Sequence, residues 1–155
     1  MQKGGNEMFF KPKKKELLYE ENVRVNCKAA PKEEVIRTVG QMLVDGGYVN
    51  QPYVEAMLER EKSFSTYMGN ELALPHGVEA AKKDIKASGI AVMIFPEGTD
   101  WGGETAKVVV GIAGAGEEHL QILSDVAEKI LDEETAERII HGDAKTVYQI
   151  LAGRE

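Results

Sequence analysis

The sequence predicts an α/β sandwich, a single domain in which a mixed β-sheet is flanked on both faces by helices. Residues 90–95 and 107–113 are apolar at nearly every position, which is typical of strands buried on both faces. Segments with apolar residues at helical spacing lie before and after these strands. Because such helices and strands interleave along the chain, we expect helices to cover both faces of the sheet.

The first half of the chain predicts a strand, two helices and a second strand. Apolar and polar residues alternate within 17–26, which favours a strand. A helix is predicted to start at Pro31, because proline suits the first helical position, and to stop at the glycines 46–47. A second helix is predicted after Asn50, whose side chain can cap it. Residues 67–74 are then predicted to form a strand.

The second half of the chain predicts further turns and helices. A short helix is expected at 79–85, and a turn at 96–98 is expected to end the strand before it. Asp132 and Asp143 are predicted to cap the last two helices. The helix that opens at 117 is predicted to bury one apolar face, made of Leu120, Leu123, Val126, Ala127 and Ile130.

Composition limits the class of protein. The chain has 155 residues, 43% of them hydrophobic and 29% charged, which is typical of a soluble protein with one substantial core. A net charge of −7 argues against a nucleic-acid partner. No apolar run approaches the roughly 18 residues of a membrane span, and no signal peptide is visible, so we expect a cytoplasmic protein without membrane insertion. The single cysteine, Cys27, excludes an internal disulfide and is expected to be a small buried thiol.

The N-terminal residues differ in character from the rest. Residues 1–15 lack hydrophobic periodicity and are rich in lysine from 11 to 15. They are predicted to be a flexible leader before a domain at 16–155. Contact of these lysines with a membrane or a nucleic acid is the alternative.

Several common site motifs are absent from the sequence. There is no phosphate-binding Gly-x-x-x-x-Gly-Lys-Ser/Thr loop, no Gly-x-Gly-x-x-Gly fingerprint, no His-Glu-x-x-His and no Gly-x-Ser-x-Gly. The three histidines are far apart in the sequence and show no metal-ligand spacing. We therefore expect neither a cofactor nor a metal ion.

The Pro75-His76-Gly77 corner is the strongest candidate for chemistry. Proline ends the preceding strand, and glycine permits a sharp turn or a close approach by another part of the backbone. A histidine with an ordinary pKa near 6.5 is largely neutral at cytoplasmic pH and is therefore nucleophilic. On this evidence His76 is either an acceptor of a transferable group or an ordinary solvated loop residue.

Two more residues suit a phosphoryl group. His119 lies at a predicted helix start, where unpaired backbone N–H groups favour an anion. Arg60, near the end of the second helix, offers a planar fork of donors that fits phosphate. The alternatives are an ordinary helix-start histidine and a solvated helix charge. His141 lies at a helix C-terminus and is expected to be structural.

From about residue 17 to 154 the chain resembles the IIA proteins of the phosphoenolpyruvate-dependent sugar phosphotransferase system. The Pro-His-Gly corner, within residues 73–77, is typical of the mannitol/fructose type. Glu-Arg-Glu-Lys at 59–62 and Glu-His-Leu-Gln at 118–121 resemble the mannitol branch. Further similarity lies in the segments 32–36, 46–49, 57–58, 66–70, 96–98 and 111–113.

The resemblance implies a phosphotransferase in which His76 is phosphorylated on Nε2. The phosphoryl group would come from the phosphocarrier protein HPr and pass to a cysteine of the IIB domain of the mannitol transporter. Arg60 and His119 match family positions beside the active histidine. Some relatives carry an acid where this chain has Asn70, so Glu71 is not assigned a catalytic role.

The alternative function is a regulatory protein of the same fold, in which phosphorylation of His76 switches binding partners. The nitrogen-related IIA proteins are of this kind. The mannitol-branch segments argue against it. The intact Pro75-His76-Gly77 corner likewise argues against a carrier that has lost its transfer activity.

Overall fold

Five strands in one mixed sheet form the centre of the molecule. The computed structural model describes residues 15–155. Short 3-10 helices lie at Glu20–Asn22 and Glu79–Asp84. The strands are β1 (Val23–Arg24), β2 (Tyr67–Gly69), β3 (Leu72–Ala73), β4 (Gly89–Trp101) and β5 (Glu104–Ala113). The helices are α1 (Lys32–Asp45), α2 (Pro52–Ser63), α3 (Glu118–Leu131), α4 (Glu133–His141) and α5 (Ala144–Leu151).

The strand order of the sheet is β1-β4-β5-β3-β2. The long strands β4 and β5 form an antiparallel hairpin at its centre. β1 runs parallel to β4, and β3 runs parallel to β5. β2 returns antiparallel to β3 at the edge. The sheet is therefore mixed, as predicted from the sequence.

The side chains of β4 and β5 alternate between two separate cores. On one face, Ala91, Met93, Phe95 and Val109 pack with the buried residues of α1 and α2. On the other face, their neighbours along the strands pack with the buried residues of α3, α4 and α5. Because both faces are covered there, the side chains of residues 90–95 and 108–113 are all apolar. The predicted sandwich with helices on both faces is confirmed.

Two of the predicted helix caps are confirmed. Asp132 accepts a hydrogen bond from the Thr135 N–H at 3.0 Å, and Asp143 accepts one from the Thr146 N–H at 2.8 Å. The predicted cap of α2 is wrong. Gln51 occupies that position without a side-chain hydrogen bond, while the Asn50 N–H donates to the Asp84 carbonyl at 2.8 Å.

Three strand predictions need correction. The predicted strand at 67–74 is divided into β2 and β3 by a tight turn, in which Asn70 and Glu71 have φ values of 52° and 63°. The turn predicted at 96–98 lies inside β4, whose pairing with β5 shifts register there and then continues. Within 17–26, only the two residues of β1 form a strand.

One core residue of α3 was also predicted wrongly. Leu120 is 69% exposed, and Ile122 is buried in its place together with Val126 and Ile130. The helix therefore presents the predicted face to the sheet except at its first turn, where Leu120 lies on the surface. Leu123 and Ala127 are partly buried.

Of the predicted leader, residues 1–14 lie outside the described part of the chain. Between residues 15 and 155, no helix combines the length and the apolar character that a bilayer crossing requires.

Candidate active site

The corner that carries His76 is fixed to the centre of the sheet. It directly follows β3, which runs parallel to β5. The Ile112 N–H on β5 donates to the Pro75 carbonyl at 2.9 Å, and His76 pairs with Ile112 in an isolated bridge. The histidine backbone is thereby held against a long, doubly buried strand, so the imidazole starts from a rigid position.

The two ring nitrogens of His76 differ in their surroundings. Nδ1 lies 2.8 Å from the Leu74 carbonyl oxygen, which can only accept a hydrogen bond. In the neutral imidazole, Nδ1 therefore carries the proton and Nε2 carries the lone pair. The backbone thus assigns the nucleophilic nitrogen.

The surroundings also favour the neutral form of this ring. Burial lowers the pKa of His76 below its ordinary value, and the nearby Arg60 cation lowers it further. The hydrogen bond to Leu74 raises the pKa by less than burial lowers it, and the charge of Glu61 raises it least. The net direction is downward, so the ring is neutral and nucleophilic at pH 7.

His119 lies beside His76, at the start of α3. The two ring centroids are 4.9 Å apart, with an interplanar angle of 63°. Gly114 makes this approach possible, because a Cβ at that position would lie 2.4 Å from the His119 Cα. Burial lowers the pKa of His119, and the neighbouring His76 ring and the Lys82 cation lower it further.

Arg60 lies in the last turn of α2 and lines the same cavity as both histidines. One guanidinium nitrogen, Nη1, donates to the Phe64 carbonyl at 2.8 Å, and the guanidinium carbon lies 5.9 Å from the Phe64 ring centroid. The cavity has a volume of about 250 Å³. The three residues singled out in the sequence therefore come together around one small opening.

Other residues of the lining were not predicted from the sequence. Tyr53 was expected only to be buried, and its hydroxyl in fact contacts the histidine corner. Lys82 and Glu79 also line the cavity and form an ion pair at 3.0 Å. The spacing of Tyr53 and Arg60 along α2 could have indicated a shared face, because seven residues make about two helical turns.

The remaining candidates lie away from the cavity. The Cys27 thiol is only partly buried and lies 3.5 Å from the Arg24 carbonyl, and burial raises its pKa. His141 is exposed at the end of α4, 3.3 Å from a Glu137 oxygen. Glu71 forms an ion pair with Lys107 at 3.4 Å.

Within residues 15–155, no group of three or more His, Cys, Asp or Glu side chains is arranged to hold a metal ion. The cavity presents cationic and imidazole groups instead. Such a lining suits an anion, and a phosphoryl group in particular.

Comparison with known proteins identifies the class. Residues 16–153 match the family described as phosphoenolpyruvate-dependent sugar phosphotransferase system, EIIA 2. The chain belongs to this family.

Its relatives include mannitol-specific proteins. The mannitol-specific phosphotransferase enzyme IIA component of Bacillus subtilis is 46% identical over 138 residues, which cover 88% of this chain and 95% of the relative. The crystal structure of IIA mannitol from Escherichia coli matches with a TM-score of 0.80 and 40% identity, covering 86% of this chain and 98% of that one. A complex of enzyme IIAMTL with phosphorylated enzyme IIBMTL, also from Escherichia coli, matches with a TM-score of 0.82 and 41% identity, over 88% and 98% of the two chains.

Proposed function

We propose that this protein is the IIA phosphocarrier for mannitol uptake. It accepts a phosphoryl group from phosphorylated HPr on His76 and transfers it to a cysteine of the IIB domain of the mannitol transporter. The observation that supports the assignment of the acceptor is the bond between His76 Nδ1 and the Leu74 carbonyl, which leaves Nε2 as the nucleophile of a ring that lines the cavity with Arg60 and His119.

In the first step, the lone pair of His76 Nε2 attacks phosphorus in line with the P–N bond of the donor phosphohistidine. The new Nε2–P bond forms while the donor P–N bond breaks, and the donor imidazole leaves with the electron pair. The incoming phosphohistidine is already an activated donor, so the reaction needs no nucleotide.

In the second step, His76 is the leaving group. A IIB thiolate attacks phosphorus, an S–P bond forms, and the Nε2–P bond breaks. Because Nδ1 keeps its proton through the bond to Leu74, the ring departs as a neutral imidazole. The hydrogen bond between Nδ1 and the Leu74 carbonyl therefore favours both steps, acceptance of the phosphoryl group and its transfer to IIB.

Arg60 and His119 act on the charge of the phosphoryl group in transit. The guanidinium offers further N–H donors besides the one bound to Phe64, and the imidazole of His119 lies edge-on to His76. Groups already placed in a partly buried cavity need little reorganisation when the transition state forms, which makes them effective.

The test is phosphorylation from purified components. We expect incubation with phosphoenolpyruvate, enzyme I and HPr to add one acid-labile phosphoryl group, seen by intact mass measurement. His76→Ala should abolish the addition. His141→Ala is the matched control, because that histidine is exposed and pairs only with Glu137 among the described contacts. A phosphorylated His76→Ala variant would contradict the assignment of the acceptor.

A second measurement distinguishes transport from regulation. Membranes that contain the matching mannitol IIB-IIC transporter should phosphorylate mannitol only when this protein and the general components are present. If the protein is phosphorylated but no phosphate reaches mannitol, the regulatory alternative would be supported instead.

A further inference from the structure

The hydroxyl of Tyr53 lies between the histidine corner and the central strand β5. It accepts a hydrogen bond from the Gly77 N–H at 2.9 Å and donates one to the Ile112 carbonyl at 2.8 Å. The side chain is almost completely buried, with 2% of the residue exposed. A buried hydroxyl with one donor and one acceptor in place is a fully connected bridge.

The ring of Tyr53 explains the glycine of the Pro-His-Gly corner. A Cβ added to Gly77 would lie 2.7 Å from the Tyr53 Cε1 atom, closer than van der Waals contact allows. Gly77 does not have a positive φ, so backbone freedom is not what the position requires. The close approach predicted for this glycine is therefore made by the aromatic ring of α2.

The same tyrosine connects the two sides of the cavity. Ile112 is bonded to Pro75 through its N–H and to Tyr53 through its carbonyl, so β5 holds the corner before and after His76. Tyr53 lies in the first turn of α2, and Arg60 lies about two turns later in the same helix. The hydroxyl thus sets the distance between the helix of Arg60 and strand β5, to which the His76 corner is bonded.

We propose that Tyr53 is a positioning residue for phosphoryl transfer, which holds the His76 corner and the helix of Arg60 at the spacing that the transfer requires. This inference rests on the proposed role of His76 as phosphoryl acceptor. Tyr53 acts through its neighbours, because its single hydroxyl proton is already donated to Ile112. Burial raises the pKa of Tyr53 to about 12, so the hydroxyl keeps that proton at neutral pH.

Tyr53→Phe is the direct test, because it removes the hydroxyl and keeps the ring. The matched control is Tyr67→Phe. The Tyr67 hydroxyl makes the same pair of backbone bonds, accepting from the Glu71 N–H at 3.1 Å and donating to the Thr105 carbonyl at 3.1 Å, but it does not line the cavity. Both variants lose one bridging hydroxyl; Tyr53 is buried and lines the cavity, whereas Tyr67 is partly exposed and lies outside it.

Rapid-quench transfer from phosphorylated HPr measures the effect. We expect Tyr53→Phe to slow the step at saturating HPr by about ten- to a hundredfold, because small misplacements of reacting groups have effects of this order. The half-saturating HPr concentration should stay close to that of the wild-type protein. Tyr67→Phe should transfer at the wild-type rate, with circular dichroism confirming that both variants are folded.

A spectroscopic measurement gives an independent answer. The ¹⁵N chemical shifts of His76 report which ring nitrogen carries the proton. We expect the Nδ1–H tautomer to dominate in the wild-type protein and in Tyr67→Phe, and the other tautomer to gain population in Tyr53→Phe, because the corner then keeps only its attachment to β5 before Gly77. If Tyr53→Phe does not fold, Gly77→Ala displaces the ring from the other side and should slow transfer in the same way.

The outcomes separate the two proposals. Wild-type rates and unchanged ¹⁵N shifts in folded Tyr53→Phe would overturn the role of Tyr53, and so would an equal slowing in Tyr67→Phe or a wild-type rate in folded Gly77→Ala. A wild-type protein that accepts no phosphate would overturn the proposed function. In that case the ¹⁵N shifts of Tyr53→Phe still decide whether the hydroxyl positions His76.

Discussion

Glu61 is a buried carboxylate next to Arg60, and its replacement should measurably destabilise the protein. The residue is 8% exposed. One or other of its oxygens accepts from the Thr66 N–H at 2.9 Å, from the Thr66 hydroxyl at 2.5 Å and from the Trp101 indole N–H at 3.1 Å. Lys32 lies 3.0 Å from it. The carboxylate therefore joins α1, α2, β4 and the segment before β2 at one point.

Glu61→Gln keeps the shape and exchanges one acceptor oxygen for an amide with two N–H donors. The amide can donate to the Thr66 hydroxyl in place of accepting from it, but the remaining hydrogen bonds lose their charged acceptor and Lys32 loses its counter-charge. A buried group without its partner costs about 1–3 kcal/mol, and breaking a buried ion pair costs about 3–5 kcal/mol. Lys32 is partly exposed and can regain water. We therefore expect a loss of about 2–4 kcal/mol.

Urea unfolding at pH 7 measures this loss. With a slope of about 2 kcal/mol per molar urea, the midpoint of Glu61→Gln should fall by about 1–2 M. The matched control is Glu55→Gln, because Glu55 lies on the same helix and forms an exposed pair with Arg37 at 2.8 Å. An exposed pair contributes less than about 1 kcal/mol. Equal midpoints for wild type and Glu61→Gln would refute the reasoning.

The pH dependence of this difference gives a second check. Burial raises the pKa of Glu61, but the Thr66 hydrogen bonds and Lys32 outweigh it, so the net shift is downward. The unfolded chain then binds more protons than the folded one between the lowered pKa and the ordinary value. The contribution of the Glu61 carboxylate to the free energy of unfolding is therefore complete above the ordinary carboxyl pKa. It is lost as the pH falls through the lowered pKa of the folded protein. The difference in urea midpoint between the wild-type protein and Glu61→Gln should therefore become smaller in acid.

The remaining predictions concern the reaction. Arg60→Ala and His119→Ala should still be phosphorylated, but about 10²–10³ times more slowly, because each loses one preorganised group; wild-type rapid-quench rates would return either residue to a surface role. Arg60→Lys should restore the rate only in part, since it keeps the charge without the planar fork. Because burial lowers the pKa of His76, acceptance should fall only below the ordinary imidazole pKa of about 6.5, as the pH passes through the lowered value; a fall that begins well above pH 7 would contradict this.

The sequence predicted the parts of the fold that depend on local pattern. Residue order alone predicts the two strands that are apolar on both faces, and it predicts the helix caps at Asp132 and Asp143. The structure contains all of them. The break between β2 and β3 was missed because Asn70 and Glu71 both adopt a left-handed conformation that non-glycine residues seldom take. The continuation of β4 past Pro96 depends on its pairing with β5, which sequence pattern does not contain.

His76, Arg60 and His119 meet at one cavity only because of the tertiary structure. Each candidate residue was found from its own surroundings or from the family resemblance. Their meeting requires β3 to pair with β5 and the loop after β5 to bring His119 back over the corner. Tyr53 shows most clearly that a sequence pattern does not reveal contacts between distant residues. Its helical spacing predicted a buried side chain, but its partners Gly77 and Ile112 are 24 and 59 residues away along the chain.

Three hydrogen bonds, one at each residue of the Pro-His-Gly corner, hold the imidazole of His76 in place. The Pro75 carbonyl is bonded to β5, the His76 ring to the Leu74 carbonyl, and the Gly77 N–H to Tyr53. Each attachment removes one way in which the ring could move or change tautomer. In the proposed function the phosphoryl group arrives at Nε2 from one protein and leaves from it to another, so the same nitrogen has to face outward in both steps. A corner held at all three residues provides this, and a flexible loop with the same histidine would not.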